Sequence, residues 1–472
     1  MHSGSPRPAP VHEAAADQLL DWRPLLTCCL ATFLLLAFTT VVTVSAGNVA
    51  STLGAGFATA QWIIDGYTLA LAALVMAMGT LGDRCGHRRL FLIGLIVFGV
   101  ASAGCAVAPS GGVLVAGRVV QGVGGAAIFG TVVPLLTQHY RGRARGTAFA
   151  VWGAVAGIGS TTGTIAGGAV TQFITWRWLF LGALPICVCA VVIGMQALSC
   201  ERPVRTRLDV AGVALITMAM TGITYAVINA GESGWGSTGT VRTAAVSLAA
   251  VCLFVTVQRR ATHPLLPPDL FATRGFIAVL IAGFAYYFGA FAALPVLSWW
   301  LQVGRGMQPL HAALVLTVQL AAFIMVSLIF SARLHHASHS WVLGGGTLLT
   351  GLACLPGAAL LVHPEWPSLI TMLVGTGIGA AIVSPVLPAV AATSVPTARA
   401  GIAAAAANAA RQLGLTLGIA ICGTIGQAAR VSDGPSTFAV VTVLFACSAV
   451  ALCGGAISFL LLRRERSCNT TT

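Results

Sequence analysis

The 472-residue sequence is apolar and basic: 57% of its residues are hydrophobic, only 8% are charged, and the formal net charge is +13. Its apolar runs repeatedly exceed the roughly 18 residues that mark a membrane-spanning helix. Alternating strand patterns are scarce, so helices rather than a closed barrel must satisfy the backbone in lipid. These features exclude a soluble globular protein and predict an all-α polytopic membrane protein.

The predicted elements are fourteen apolar spans, separated by charged or Pro/Gly-rich breaks. In chain order they are 24–46, 59–78, 89–108, 113–137, 147–173, 178–198, 209–230, 241–258, 275–301, 309–332, 341–362, 368–392, 400–427 and 438–462. An even number of spans returns both termini to one side. Placing the termini in the cytoplasm puts 19 of the 25 basic residues, all arginines, in cytoplasmic segments, as the positive-inside rule requires.

The breaks also predict the domain organisation. Charged segments at 199–209 and 258–274 bracket the seventh and eighth spans and divide the helices six, two and six. The predicted units are a cytoplasmic N-terminal tail (1–23), an N-terminal six-helix bundle (24–199), two additional transmembrane helices (208–258), a C-terminal six-helix bundle (274–462) and a cytoplasmic C-terminal tail (463–472).

Neither nucleic acid nor a metal is a predicted partner. The arginines lie in short segments between spans, where they set helix orientation, so the basic charge does not indicate nucleic-acid binding. The 13 cysteines lie mostly in apolar runs and include no CxxC pair, which favours packing residues over metal ligands. We therefore predict no metal site and no cofactor.

The segment GTLGDRCGHRRL, residues 79–90, concentrates charge after the second span. Its patterned residues are Gly79, Leu81, Asp83, Arg84, Gly86, Arg88 and Arg89. A positive-inside loop accounts for the arginines but not for Asp83 or the glycines. A carboxylate at this surface accepts hydrogen bonds from arginines or from a helix N-terminus, and so can join two bundles.

This pattern matches the loop between helices 2 and 3 of the major facilitator superfamily. Four further segments resemble its fourteen-span drug:proton antiporters: QWIIDGYTLALAAL (61–74), LVAGRVVQGVGGAAI (114–128), WRWLFLGALPI (176–186) and LDVAGVALIT (208–217). Within that group the sequence resembles actinobacterial antibiotic-resistance exporters, of the kind that protects a producer from its own methylenomycin. The resemblance implies two six-helix bundles in the bacterial plasma membrane, working by alternating access around a central cavity.

The resemblance also assigns roles to motif residues. It implies that the 79–90 segment latches the outward-open state against the start of a later helix, near 399–402. The helix 4 motif comprises Gln121, Gly122 and Gly124, and the helix 5 antiporter motif comprises Gly159, Gly163, Gly167 and Gly168. Two positions depart from the pattern: Phe38 stands where helix 1 often has Asp, and Thr164 replaces a proline.

Charges inside the spans suggest proton coupling. Asp65 is the only one of 12 acidic residues within an apolar span, where a carboxylate favours its protonated form. It is predicted to carry a proton, although a structural hydrogen bond is the alternative. Arg118 cannot readily lose its proton and must face a polar cavity or partner, so it is predicted to act with Asp65.

Substrate contacts are predicted from aromatic and basic residues within spans. The candidates are Trp62, Tyr67, Trp152, Tyr286, Tyr287 and Arg411. The rings are alternatively interfacial anchors, and Arg411 alternatively snorkels to the membrane surface.

Together these features predict a monomeric proton-driven exporter of a small apolar or weakly cationic drug or antibiotic. No GxxxxGK[ST] phosphate loop and no catalytic constellation is present, so neither ATP drive nor an enzyme is predicted. A proton-coupled symporter of a small metabolite and a non-transporting membrane sensor remain alternatives.

Overall fold

A computed structural model describes residues 21–199, 209–261, 264–334, 337–363, 365–396, 399–428, 430–431 and 434–469. Within these ranges, 14 helices are long and apolar enough to cross a membrane. The all-α prediction and the helix count are therefore confirmed. We number these helices α1 to α14 in chain order.

The first eight helices have the following bounds: α1 Trp22–Thr52, α2 Phe57–Cys85, α3 His87–Ala106, α4 Gly111–His139, α5 Gly142–Phe173, α6 Arg177–Leu181 continued by Ala183–Ala197, α7 Val210–Ser233 and α8 Thr238–Arg260. A short 3-10 turn, Pro268–Ala272, precedes the ninth.

Several of the remaining helices are segmented: α9 comprises Arg274–Phe291, Leu294–Trp299 and the π turn Trp300–Gly304; α10 is Pro309–Leu334; α11 comprises the π turn Ser340–Gly345, Gly346–Cys354 and the 3-10 turn Leu355–Leu361; α12 comprises the 3-10 turn Trp366–Leu369, Ile370–Val383 and Leu387–Thr393; α13 is Ala400–Ala428; α14 is Thr437–Asn469. Two short strands, β1 Arg430–Val431 and β2 Gly434–Pro435, pair antiparallel. The break in α12 contains Pro385, which cannot donate a helical hydrogen bond.

Helix ends differ from the predicted tails and loops. The predicted C-terminal tail at 463–472 is helical as far as Asn469, because α14 continues through it. Most of the predicted N-terminal tail, residues 1–20, lies outside the described residues. So does most of the charged segment 199–209, including its three arginines.

Helices pack in two groups with a pair beside them. In the first group α1 packs on α5 and α6, and α4 packs on α2 and α3. In the second group α9 packs on α13 and α14, while α12 packs on α10 and α11. The pair α7 and α8 pack on each other, and α7 also contacts α2 and α13. One added helix therefore touches both groups.

The two groups meet along a seam formed by α2 with α13 and by α5 with α10. We call the end of the molecule where α1 begins and α14 ends the near end, and the opposite end the far end. Hydrogen bonds between described residues join the two groups toward the far end. The Gln61 amide donates to the Ala420 carbonyl at 3.3 Å, the Gln302 amide to the Val44 carbonyl at 2.9 Å, and the Gln172 amide to Gln308 at 2.8 Å.

Burial along α13 follows the same division. Toward the near end, between Ala400 and Arg411, only Ala403, Ala406 and Ala407 are buried. Toward the far end, most residues from Gly414 to Gly426 are buried. The seam is therefore closed at the far end and less covered at the near end.

Candidate functional site

Arg118 occupies a fully buried polar site inside the first helix group. Its Nε donates to the Ile63 carbonyl at 2.9 Å, Nη1 to Gln121 Oε1 at 2.5 Å, and Nη2 to the Phe38 carbonyl at 3.2 Å. Its Cζ lies 4.4 Å from the centre of the Tyr67 ring. Three hydrogen-bond acceptors and one aromatic ring thus stabilise a guanidinium that does not readily lose its proton.

The network extends from Arg118 to neighbouring helices. Gln121 of α4 donates its amide to Ser102 Oγ of α3 at 2.7 Å, and the Tyr67 hydroxyl donates to the Leu35 carbonyl of α1 at 2.9 Å. Gln121 therefore connects the Arg118 site on α4 to α3.

Phe38 of α1 stands at the position where the resemblance implies a carboxylate, and it contacts Arg118. The Phe38 backbone carbonyl accepts from Arg118, while its ring packs on Phe98 and Phe180 with centroid distances of 5.4 and 5.8 Å. A backbone carbonyl therefore partners the arginine at the position where the resemblance implies an aspartate.

Asp65 is fully buried, and neither carboxylate oxygen has a hydrogen-bond partner among the described residues. Residues three, four or seven positions away share its face of α2. That face holds Ala58, Trp62, Leu69 and Ala72, which pack with Ile216, Met220 and Ile228 of α7 and with Leu413 and Ala420 of α13. Asp65 therefore lies on the stripe of α2 that faces α7 and α13.

Asp65 and Arg118 are not brought into contact. Arg118 reaches α2 at Ile63 and Tyr67, on another face of that helix, and it forms no ion pair with Asp65. Sequence spacing alone does not reveal this, because neighbouring helical positions point in different directions.

The helix 4 glycines permit close packing of α4. A Cβ at Gly122 would lie 2.5 Å from the Tyr67 carbonyl of α2, and one at Gly124 would lie 2.8 Å from the Gly94 carbonyl of α3. Such approaches exclude any larger residue without a shift of the helices.

The helix 5 motif faces two different helices. A Cβ at Gly159 would lie 2.9 Å from the Phe33 carbonyl of α1, and one at Gly167 would lie 2.5 Å from the Val41 carbonyl; Gly163 lies between them against α1. Gly168 instead faces the second group, where a Cβ would lie 2.7 Å from the Pro309 carbonyl. The motif thus reaches across the far end of the seam.

Thr164 stands within this motif where the resemblance implies a proline. It is buried, and its hydroxyl donates to the Ser160 carbonyl at 3.0 Å within the same helix. α5 therefore continues unbroken as Gly142–Phe173.

The 79–90 segment is more helical than the sequence suggested. The predicted loop is reduced to Gly86, whose φ of 92° allows α2 to turn directly into α3. Asp83 consequently lies in the last turn of α2 rather than in a loop, and its carboxylate pairs with His87 at 3.3 Å. Gly79 lies close to Gly130 of α4, where a Cβ at Gly130 would be 2.9 Å from the Gly79 nitrogen.

The basic residues of this segment lie at the surface. Arg84 and Arg89 are exposed, Leu81 is half-buried, and Arg88 donates to the Met195 carbonyl of α6 at 2.6 Å. These contacts connect the segment to its own helix group.

The predicted latch contact is not formed in this structure. Asp83 pairs with His87, and Arg399 pairs instead with Asp269. The hydrogen bond from Arg399 holds the pKa of the exposed Asp269 carboxyl below its usual value. Both partners of the expected latch are thus engaged within their own helix groups, which matches the less covered near end.

The predicted aromatic cavity residues separate into different environments. The Trp62 ring packs against Tyr225 of α7 at 6.2 Å, Tyr67 belongs to the Arg118 site, and Tyr286 is fully buried. The Trp152 indole donates to Thr32 Oγ1 at 2.7 Å. Their predicted role in substrate binding stays a prediction.

Arg411 and Tyr287 are brought together from α13 and α9. Arg411 Nη2 donates to the Tyr287 hydroxyl at 3.0 Å, and its Cζ lies 4.7 Å from that ring centre. The guanidinium therefore contacts an aromatic residue inside the protein, rather than extending to the membrane surface.

A cavity that the sequence did not indicate lies in the seam toward the far end. Its volume is about 470 Å³, and it is bounded by α1, α2, α9, the start of α10 and α13. The lining includes Asn48, Gln61, Ser298, Trp299 and Gln302 but no charged side chain and none of the six substrate-contact candidates named in the sequence analysis. The available signal was the placement of two glutamines, Gln61 and Gln302, inside apolar spans.

The sequence matches one family model over most of its length and is similar to known resistance proteins. Residues 28–267 and 279–470 match the family model described as Major Facilitator Superfamily. The chain is 33% identical over 396 residues to the methylenomycin A resistance protein of Streptomyces coelicolor, covering 82% of each chain. It is 33% identical over 437 residues to the puromycin resistance protein of Streptomyces alboniger, covering 89% of this chain and 85% of the relative.

Solved structures support the fold. A POT family transporter in complex with 5-aminolevulinic acid superposes with a TM-score of 0.70 at 13% identity, covering 93% of this chain and 96% of the other. The relatives bear out the resemblance to antibiotic-resistance proteins. On the match across both helix groups and the fourteen-helix architecture, the chain belongs to the major facilitator superfamily.

Proposed function

We propose that this protein exports a small drug or antibiotic from the bacterial cytoplasm in exchange for protons. The observation that carries the proposal is the seam, which among the described residues is closed by hydrogen bonds toward the far end, is less covered toward the near end, and contains a cavity beside those bonds. Relatives named for resistance to methylenomycin A and puromycin support a drug as the substrate.

The near end is assigned to the cytoplasm. Arg84, Arg89, Arg399 and Arg463 lie at near-end helix termini, and most arginines of the sequence fall in near-end segments. Because cytoplasmic segments are enriched in basic residues, both termini are placed in the cytoplasm. In this orientation the structure is closed toward the outside and less covered toward the cytoplasm, as expected of a state that admits substrate.

Alternating access requires the far-end hydrogen bonds to break. They join neutral amides to carbonyls or to other amides, so water can replace each of them at a modest net cost of about 0.5–1.5 kcal/mol. The near end closes in the opposite state, in which Asp83 leaves His87 and reaches the start of α13. This exchange of contacts is the latch that the motif residues form in our proposal.

Asp65 and Arg118 are the proposed proton-coupling residues. The buried carboxylate without a hydrogen-bond partner is neutral at low energetic cost and charged only when water or a partner reaches it. A movement of α2 against α7 and α13 would alter its solvation. Arg118, which holds two points on α2, would transmit the rearrangement of the first group to that helix.

Drug susceptibility is the direct test. A host that lacks its own exporters should become more resistant to one or more antibiotics when it produces this chain, and protonophore should abolish the gain. A symporter would instead increase accumulation of its substrate. The proposal fails if a broad panel of antibiotics shows neither altered susceptibility nor altered accumulation at normal membrane levels of the protein.

Substitution of Asp83 by Asn tests the latch. We expect normal membrane levels but efflux reduced by about tenfold or more, because the amide removes the charge that closes the near end and removes no apolar contact. The measurement is energised efflux of a drug identified in the susceptibility test. Glu232→Gln, an exposed carboxylate change at the far end of α7, is the control. Full efflux by Asp83→Asn would rule out the latch.

A further inference from the structure

Arg411 is a partly buried cation whose described partners are all uncharged. Its hydrogen-bond partner is the neutral Tyr287 hydroxyl, and its Nε atom is buried without a partner. Neither ion pair between described residues includes it. By contrast, Arg118 has three acceptors and leaves no side-chain nitrogen unpartnered.

We propose that Arg411 and Tyr287 form a binding site for an anionic group, a carboxylate, on the exported molecule. This inference rests on the proposed export function and specifies its substrate class. A guanidinium stays charged at any physiological pH, and a charge inside a membrane protein is costly unless it is paired. A carboxylate accepts two parallel N–H bonds from such a group and would supply the missing partner.

The site lies where a molecule from the cytoplasm first meets the closed part of the seam. Arg411 and Tyr287 are both partly exposed. On α13, Arg411 stands between the less covered near-end residues and the buried far-end residues. Tyr287 and Phe291 of α9 pack against the core of the first helix group. The aromatic side chains next to Arg411 therefore lie in the seam between the two groups.

Aromatic side chains beside Arg411 would hold the apolar part of the ligand. The Tyr286 and Tyr287 rings lie 5.0 Å apart, and Tyr287 and Phe291 also lie 5.0 Å apart. An amphipathic acid fits this combination, with its carboxylate on Arg411 and its apolar body on the rings.

The surroundings disfavour a cationic substrate. Among the described residues, Asp65 is the only carboxylate away from the ends of the spanning helices, and it is fully buried on the stripe facing α7 and α13. The far-end cavity is lined by uncharged residues. The charge accessible in the seam is therefore positive, and our inference favours an anionic substrate over the apolar or weakly cationic one that the sequence predicts.

Three probes with one hexylphenyl body test the charge preference. They are 4-hexylbenzoate, 4-hexylbenzamide and 4-hexylbenzylammonium, titrated by calorimetry into the full-length protein in detergent micelles, with empty micelles as the blank. The benzoate should bind at least about tenfold more tightly than the amide, corresponding to one charge-assisted pair, and the ammonium should bind most weakly.

Variants locate the preference. Arg411→Gln should bind the benzoate and the amide equally, whereas Arg411→Lys should retain part of the preference, because a point charge replaces the two-pronged donor. Arg177→Gln is the matched control. Arg177 stacks on Trp176 at 4.5 Å in the first helix group, away from the seam, so its loss should leave the preference unchanged.

Equal binding of benzoate and amide by the parent protein would overturn the inference, as would a full preference in Arg411→Gln. If Arg411→Gln does not fold, the other two variants decide. The inference is overturned if Tyr287→Phe and Arg411→Lys both show the same preference for benzoate over amide as the parent protein. Calorimetry separates this inference from the proposed function. If the protein exports a drug but shows no charge preference, only the inference about the substrate is rejected. If it binds the carboxylate but exports no drug, only the proposed export function is rejected.

Discussion

Replacement of Arg118 by alanine should abolish proton-driven efflux. The change leaves the Ile63 and Phe38 carbonyls and Gln121 without their buried donor, and it removes the charge beside Tyr67. Lysine should also fail, because one ammonium group cannot reproduce three donors in a planar array. We expect at least about a tenfold loss of rate for lysine, since one lost charge-assisted bond is worth about 1.5–3 kcal/mol.

The measurement is drug uptake by inside-out vesicles under an imposed pH gradient, normalised to the amount of folded protein. Arg177→Lys is the control, because Arg177 also stacks on an aromatic ring but lies outside the Arg118 site. Normal uptake by Arg118→Lys would show that the residue only holds charge, and normal uptake by Arg118→Ala would remove it from the mechanism.

Asp65→Asn should stop turnover driven by a pH gradient while leaving substrate binding intact. The amide mimics the protonated carboxyl permanently, so the carrier would have no proton to release at this position. The protein should still fold, because the substitution breaks no hydrogen bond between the Asp65 carboxylate and another described residue. Asp65→Glu should retain some transport, since it keeps a group that gains and loses a proton.

Binding and pH-gradient-driven transport must be measured on the same preparations of Asp65→Asn and Asp65→Glu. Glu232→Gln removes an exposed carboxylate from α7 and is the matched control. If Asp65→Asn transports as fast as the parent, Asp65 does not couple protons. Loss of both binding and folding in Asp65→Asn would instead support the structural alternative.

Hydropathy was sufficient to predict the fourteen helices, because each span must satisfy its backbone internally within lipid and so appears as a long apolar run. Asp65 and Arg118 were equally visible, since ionisable residues inside such runs are costly and therefore conspicuous. The 79–90 motif was located correctly, although its loop is a single glycine and Asp83 belongs to a helix. Apolar periodicity ends at the charged residues, while the helix continues through them.

Contacts between helices were not available from those patterns. Membrane helices are apolar on most faces, so the sequence does not mark which side of α2 meets α4 and which meets α7 and α13. Tertiary packing decided that Asp65 lies on the side of α2 that faces α7 and α13, while Arg118 contacts the other side of α2. It also brought Arg411 to Tyr287 and assembled the far-end cavity from helices of both groups, because the residues lining the cavity meet only when the two helix groups pack against each other.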